Sequence, residues 1–346
     1  IQSTNASSGM QHAVWVNRQY VEVRRPSLSY RFSRYVRADL LNHFALLTHS
    51  IGAFLELRTL LKREHFDLVH AHTRGTLFVA LSAAKLLQRP VLFTNHSYGS
   101  RIRMYQRVAA AENMHTVLLT PNMSRHYGLL ANFPKLTIIP DCCADSFFSE
   151  TLCAPRPVAP EGLLRLAGVG NIMRWKNWHL LVRALRALTP AEKQRIDFSL
   201  WGPRPSDPDS VRYDRELRRL VASSGLHAQF RFRGLTHSIP DCLREADWFV
   251  LPSTNEPCSV ALIEALAMGL PALASASGGN VDILCHGKTG LLFEPDNSAD
   301  LAEKLRLLLR GRGGLCSPQE RRNSVRHRSG SSVMEEYAAI YKCLAG

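Results

Sequence analysis

Ser253-Thr-Asn-Glu256-Pro-Cys-Ser-Val-Ala-Leu-Ile-Glu264-Ala-Leu-Ala-Met-Gly269-Leu-Pro271 is the stretch on which the fold turns. It follows Trp248-Phe-Val-Leu-Pro252, a short apolar run that reads as a buried strand. Glu256 then stands at the strand's carboxyl end, the edge at which open α/β sheets bind ligands. Beyond it a helix is predicted, with Pro257 in an early helical position and the N–H groups near Cys258, Ser259 and Val260 pointing outward. Such a helix N-terminus attracts anions and suits a pyrophosphate. Glu264 lies roughly two turns further on. A carboxylate such as Glu256 is repelled by that phosphate unless it serves a neutral partner, and sugar hydroxyls donate well to an ionised carboxylate. Taken singly, each has a plain alternative: Glu256 as a helix-start acid, Glu264 as a solvated helix residue.

Working outward, short apolar strands alternate with helical patterns, as in parallel sheets flanked by helices. Phe66–His72 reads as a strand, 75–87 as a helix and Pro90–His96 as the next strand, which makes one βαβ unit. Thr116–Thr120 and Leu136–Pro140 add two strands; the acidic and small residues from Asp141 begin a boundary; and Pro155, Pro157 and Pro160 mark a linker. A second series opens at Leu164–Gly170, continues through a helix over 178–188 and strands at 196–201 and 229–233, and has a proline-rich loop over 202–209. Ser298–Leu309 is an amphipathic helix capped by Ser298; a basic, glycine-containing stretch over 310–328 precedes a last helix over 331–344. The expected organisation is an α/β chain with two Rossmann-like domains, 1–150 and 151–330, and a terminal helix in 331–346.

The 346 residues, 45% hydrophobic, suffice for two cores. No run of about 18 apolar residues occurs, so no membrane-spanning helix is expected. The net charge of +14 suits anionic lipid or glycan surfaces. Arginines at 18, 24, 25, 31, 34 and 37 interleave with Tyr20, Tyr30, Phe32 and Tyr35, a pattern for a phosphorylated acceptor or an anionic membrane interface. Nucleic acid is not expected, because no nucleic-acid motif accompanies the charge. The eight cysteines form no C-x-x-C pair and have no histidine at metal-ligand spacing, and the chain begins without a signal-peptide pattern; both point to a reduced, cytoplasmic setting without zinc.

Lys176 follows Gly170-Asn-Ile-Met-Arg-Trp on the loop leaving the first strand of the second series. A cation there can neutralise a departing diphosphate, and Arg174 can grip two phosphate oxygens. His96 ends a strand, where a neutral imidazole can bond a sugar or orient an attacking hydroxyl. His70 and His72 share one side of a strand without needing a metal. Gly9 in Ala6-Ser-Ser-Gly-Met-Gln11 is the candidate tight turn after a first strand, open to a phosphate. Asp207-Pro-Asp209 has D-x-D spacing, but its proline-rich setting speaks against a metal clamp.

The motifs Phe232-Arg-Gly-Leu-Thr, Leu243–Ser253, Glu256–Ala267, Gly278-Gly-Asn-Val-Asp282 and His286–Phe293 come in the order and at the spacing of retaining glycosyltransferases of family 4, which this chain closely resembles over 230–309. The resemblance implies the GT-B fold: two Rossmann-like domains facing a central cleft, with a C-terminal helix crossing back to the N-terminal domain. It implies that Glu256 contacts the transferred sugar, Glu264 the ribose, and the amides around Ser259 and Val260 the sugar or phosphate. Leu235, within the first motif, joins the donor-binding set. The family places arginine directly after Gly170; Asn171 stands there in this chain, and Arg174 is the candidate to restore the charge. A functional histidine in similar enzymes matches His96.

The implied activity is metal-independent transfer of a hexose-like sugar, with retention, from a nucleoside diphosphate sugar, a UDP-sugar first among candidates, to a lipid-linked or polysaccharide acceptor, at the inner face of the cytoplasmic membrane. No other cofactor is expected. Two alternatives stand beside it: a nucleotide-sugar epimerase of similar fold, and a sugar-nucleotide-binding protein that has lost turnover, suggested by Asn171 and a curtailed N-terminal helix.

Overall fold

A computed structural model describes residues 51, 54–63, 66–72, 74–129, 133–153, 162–311 and 315–345. Gly9, the arginine-rich stretch 18–37 and the proline linker lie outside the described residues. The chain divides into two compact units: Ile1–Phe93 with Glu112–Met114 and Ala345, and Thr94–Ala111 with His115–Leu344 and Gly346.

The first sheet has the order β1-β2-β3-β4, formed by Val69–Ala71, Val91–Asn95, Met114–Leu118 and Leu136–Ile138. β1 runs parallel to β2 from Val69 opposite Val91, and β3 parallel to β4 from Thr116 opposite Leu136. All five residues of β2 are buried, as expected of a parallel strand covered on both faces.

The second sheet comprises β5 (Leu164–Val169), β6 (Ile196–Trp201), β7 (Phe230–Gly234), β8 (Trp248–Leu251), β9 (Ala272–Ser275) and β10 (Gly290–Phe293), in the order β10-β9-β8-β5-β6-β7 and parallel throughout. The chain builds outward from β5 to β7, then returns to the other side of β5 with β8. This is the doubly wound order, and its switch point lies between β5 and β8.

One face of this sheet carries Leu164, Leu166, Ile196, Phe198, Leu200 and Phe230. Over them lies helix Trp178–Arg186, which buries Trp178, Leu180, Leu181, Val182, Ala184 and Leu185; helix Ser298–Leu309 adds Leu301, Leu305 and Leu308. Phe198 is the hub, its ring centroid 6.0 Å from Trp178 and 4.7 Å from Phe230. Full burial of each such side chain contributes about 1.5–3 kcal/mol.

Helix Val260–Ala267 follows β8, and its end is fastened by two buried guanidiniums of helix Pro318–Ser324. Arg322 Nε donates to the Ala267 carbonyl at 2.6 Å and Arg321 Nε to that of Gly269 at 2.7 Å. Cations at a helix C-terminus satisfy its orphan carbonyls and favour its dipole. In the final helix, Gly330–Ala345, the Tyr337 hydroxyl lies 2.9 Å from Thr94 Oγ1 of β2.

Three segments differ from the sequence expectation. Pro208–Ser223 is a helix whose first turn lies inside the expected loop: Asp207 caps it through the Ser210 amide at 2.9 Å and Pro208 fills the first position. Asn297, not Ser298, caps Ser298–Leu309, accepting from Ala299 and Asp300 amides. The basic stretch contains helix Pro318–Ser324, closed by a Ser317–Glu320 capping box. No helix of the described residues is long and apolar enough to cross a membrane.

Candidate active site

The switch point brings two loops together. The loop after β5 carries Asn171, Arg174 and Lys176; the loop after β8 carries Glu256, and the two are pinned by the Thr254 amide donating to the Trp175 carbonyl at 2.8 Å. A short 3-10 turn, Arg174–Lys176, closes with Asn177 at φ 59°, which turns the lysine inward.

Lys176 Nζ donates to Glu256 Oε2 at 2.8 Å, and the residues are only 8% and 6% exposed. The ammonium also lies 4.3 Å from the centroid of the Trp175 ring. A cation expected to meet a leaving diphosphate and a carboxylate expected to meet sugar hydroxyls are therefore direct neighbours. Their mutual pairing keeps both groups compensated, because an uncompensated buried charge is costly.

The helix behind Glu256 begins later than its sequence suggests. Pro257 is not helical: Val260 is the first helical residue and Ser259 the N-cap, its hydroxyl accepting from Leu262 N at 3.3 Å. The carbonyls of residues 256 and 257 are taken elsewhere, the first by Gly279 N at 2.7 Å and the second by Thr120 Oγ1 at 3.4 Å, so no helical turn forms there. The amides of Val260 and Ala261, in the first turn, have no intrahelical acceptor and remain the anion-facing donors.

Glycines permit this packing. A Cβ on Gly279 would stand 2.1 Å from the Pro257 carbonyl oxygen, and one on Gly278, at φ +58°, would stand 2.3 Å from that of Glu256. Glu264 lies half-buried on the helix, and burial pushes its carboxyl up to about 7.

The remaining candidates are placed differently. His96 Nδ1 lies 3.3 Å from Asp141 Oδ1. Burial pushes the Cys258 thiol up to about 12. Arg174 is exposed; its Nη2 pairs with Glu216 Oε2 at 2.5 Å and its guanidinium lies 5.2 Å from the Tyr213 ring centroid. Asn171 is exposed, and its carbonyl accepts from Trp178 Nε1 at 3.2 Å. Leu235 is 67% exposed, just past the turn at Gly234. Asp207 and Asp209 serve the start of their helix, the second pairing with Arg212 at 2.9 Å. His70 and His72 stack at 3.9 Å between ring centroids. Among the described residues no group of three or more His, Cys, Asp or Glu could hold a metal ion.

Three supporting residues escaped the sequence reading. Asp141 was legible only as a boundary. Asp282, within the Gly278–Asp282 motif, accepts from the Asn122 amide at 2.8 Å and faces Arg125 at 3.4 Å. Arg328 is buried and donates to the Asp282 carbonyl at 3.2 Å and Cys258 Sγ at 3.5 Å, bracing the donor loop from behind. Sequence spacing carries no signal for such long-range contacts.

Two parallel sheets, a switch point and its paired loops define the GT-B class. Sucrose-phosphate synthase from Thermosynechococcus elongatus superposes with a TM-score of 0.74 at 19% identity, over 86% of this chain and 79% of that one. Anabaena HepE in complex with UDP-glucose gives 0.69 at 17%, over 84% and 82%. The family model described as "Glycosyl transferases group 1" matches residues 155–328, and that described as "Glycosyltransferase Family 4" matches 6–140. The chain belongs to the group 1 glycosyl transferases. Among curated relatives, the 2-deoxystreptamine N-acetyl-D-glucosaminyltransferase of Niallia circulans is 26% identical over 272 residues, 70% of this chain and 67% of the relative. The chain spans 67%, 50% and 63% of the lengths of the first three such relatives.

Proposed function

We propose that the protein moves a hexose-type sugar from a nucleoside diphosphate donor to a hydroxyl of a glycan or lipid-linked acceptor, with retention at the anomeric carbon. The observation that carries this reading is the Lys176–Glu256 pair at the switch point. On donor binding, Lys176 exchanges Glu256 for a diphosphate oxygen and Glu256 takes a sugar hydroxyl. The amides of Val260 and Ala261 face the phosphates, and Glu264 takes the ribose hydroxyls.

As the bond from the anomeric carbon to the phosphate oxygen breaks, the acceptor oxygen bonds to that carbon from the same face. Its proton passes to the departing diphosphate, whose negative charge Lys176 and the helix amides stabilise. His96, beside Asp141, orients the sugar or the acceptor. No metal enters these steps. Complexes of HepE with UDP and with UDP-glucose support UDP as the nucleotide, and the basic character of the chain supports an anionic acceptor or membrane surface.

The test is to incubate purified protein with UDP-, GDP- and ADP-sugars, with and without glycan and lipid-linked acceptors, and follow diphosphate release in the presence and absence of EDTA. Acceptor-dependent release that Lys176→Ala removes supports the proposal. A second reading, a donor-binding protein without turnover, is favoured by Asn171 and by the engagement of Arg174 with Glu216. Calorimetric donor binding with no release from any donor would establish it.

A further inference from the structure

On the face of the second sheet opposite the Phe198 core, a cavity of about 400 Å³ lies over β5, β6 and β7. Alternate strand residues reach this face, so the arginines and polar residues between the core positions line it. Arg165, Asp197, Ser199, Trp201, Arg233 and Arg244 line it, together with the carboxylate residue Glu245. None belongs to the Lys176–Glu256 site.

The charges in this cavity are unevenly matched. Arg165 faces Asp247 at 3.8 Å, Arg244 pairs with Glu150 and Asp241, and Asp197 is taken through Oδ2 by Arg231 at 2.7 Å. Arg233 has no carboxylate partner among the described residues. Its Nε is anchored on Ser199 Oγ at 3.1 Å, which holds the guanidinium while leaving its two terminal nitrogens to the cavity. A planar fork fixed in this way is prepared for two parallel bonds to a phosphate or carboxylate.

A second feature asks for hydroxyl groups. Asp197 Oδ1, on the cavity wall, is buried without a hydrogen-bond partner, a condition native structures ordinarily relieve. A hydroxyl can donate to it. Trp201 adds a flat apolar surface and an indole N–H. Its carbonyl accepts from Gly170 N at 2.9 Å, so this end of the cavity adjoins the loop that carries Lys176.

We infer that this cavity is a second ligand site, for a monosaccharide bearing one phosphate or carboxylate. The anion sits on Arg233, the sugar ring lies against Trp201, and a ring hydroxyl donates to Asp197. Binding here is independent of the donor site.

Isothermal titration of the whole chain with glucose 6-phosphate, glucuronate, glucose and inorganic phosphate tests it, each repeated with saturating UDP. Glucose 6-phosphate or glucuronate is expected to bind at least tenfold more tightly than glucose and than inorganic phosphate, and to the same extent with UDP present. The arm that binds distinguishes the phosphorylated from the carboxylated ligand. Arg233→Gln is expected to weaken that affinity at least tenfold, with an unchanged thermal transition and circular dichroism spectrum; Ser199→Ala, which frees the Nε anchor, is expected to weaken it severalfold. Absence of binding by both sugar anions, full competition by UDP, or equal affinity in Arg233→Gln would overturn the assignment. Inorganic phosphate binding as tightly as glucose 6-phosphate would overturn its sugar part.

Discussion

Lys176 and Glu256, eighty positions apart in the chain, meet at 2.8 Å between Nζ and Oε2 in a buried setting. Each compensates the other's charge. Breaking the pair from one side leaves a buried charge, at a cost of about 3–5 kcal/mol. Lys176→Ala and Glu256→Ala should each lose that much in urea unfolding, whereas the double variant Lys176→Met/Glu256→Leu should recover most of it. Single variants within 1 kcal/mol of the parent would refute the compensation.

Turnover should separate the loop cations. Lys176→Ala should lower kcat by roughly 10²–10³-fold, the loss seen when one group stabilising developing charge is removed. Arg174→Ala should cost only severalfold in donor KM, since the guanidinium is exposed and already engaged by Glu216. Diphosphate release measures both. Equal losses would mean that Arg174 leaves Glu216 to share the leaving group.

Glu264 predicts a pH dependence. Its folded value is raised from 4.5 to about 7 by burial, so the folded state favours the protonated form. The stability this confers is complete below about pH 4.5 and is lost as pH rises to about 7. Glu264→Gln should flatten that slope and add on the order of 3 kcal/mol at pH 8, read from urea midpoints across the range. If the ionised carboxylate takes ribose hydroxyls, donor affinity should rise over the same window in the parent and stay level in the variant. A parent stability that climbs from pH 5 to pH 7 relative to Glu264→Gln would contradict this assignment.

Gly279→Ala tests the loop packing. Its backbone lies at φ −77°, open to any residue, so what opposes a methyl group is the 2.1 Å approach to the Pro257 carbonyl oxygen and the 2.8 Å approach to Thr120 Cγ2. The substitution should cost about 1–3 kcal/mol by overpacking and weaken donor binding through displacement of Glu256. Calorimetric donor affinity and the thermal transition check it together; a neutral substitution would show that the two loops can separate freely.

Much of the second sheet was readable because its signals are local. Apolar runs bounded by glycine or proline marked β5, β6, β7 and β8 within a residue or two, and Leu164, Leu166, Phe198 and Phe230 fell on the core face by simple alternation. Helix Pro208–Ser223 was legible in principle, since Asp207 and Pro208 are a cap and a first-turn residue, but the neighbouring prolines masked them. Pro257 misled for the opposite reason: proline favours a helix start, yet long-range bonds to the 256 and 257 carbonyls forbid one.

By itself the sequence determined the parallel α/β architecture, the motifs of the second domain and the chemical types of its site residues, because periodicity, turn residues and motif spacing are properties of neighbours along the chain. Tertiary structure alone decided that Lys176 is held by Glu256, that Arg174 turns to Glu216, that Asp141 meets His96 and that Arg233 faces an open cavity. These are choices of partner. They depend on which strands lie side by side and which groups burial leaves uncompensated, and only the folded chain sets both.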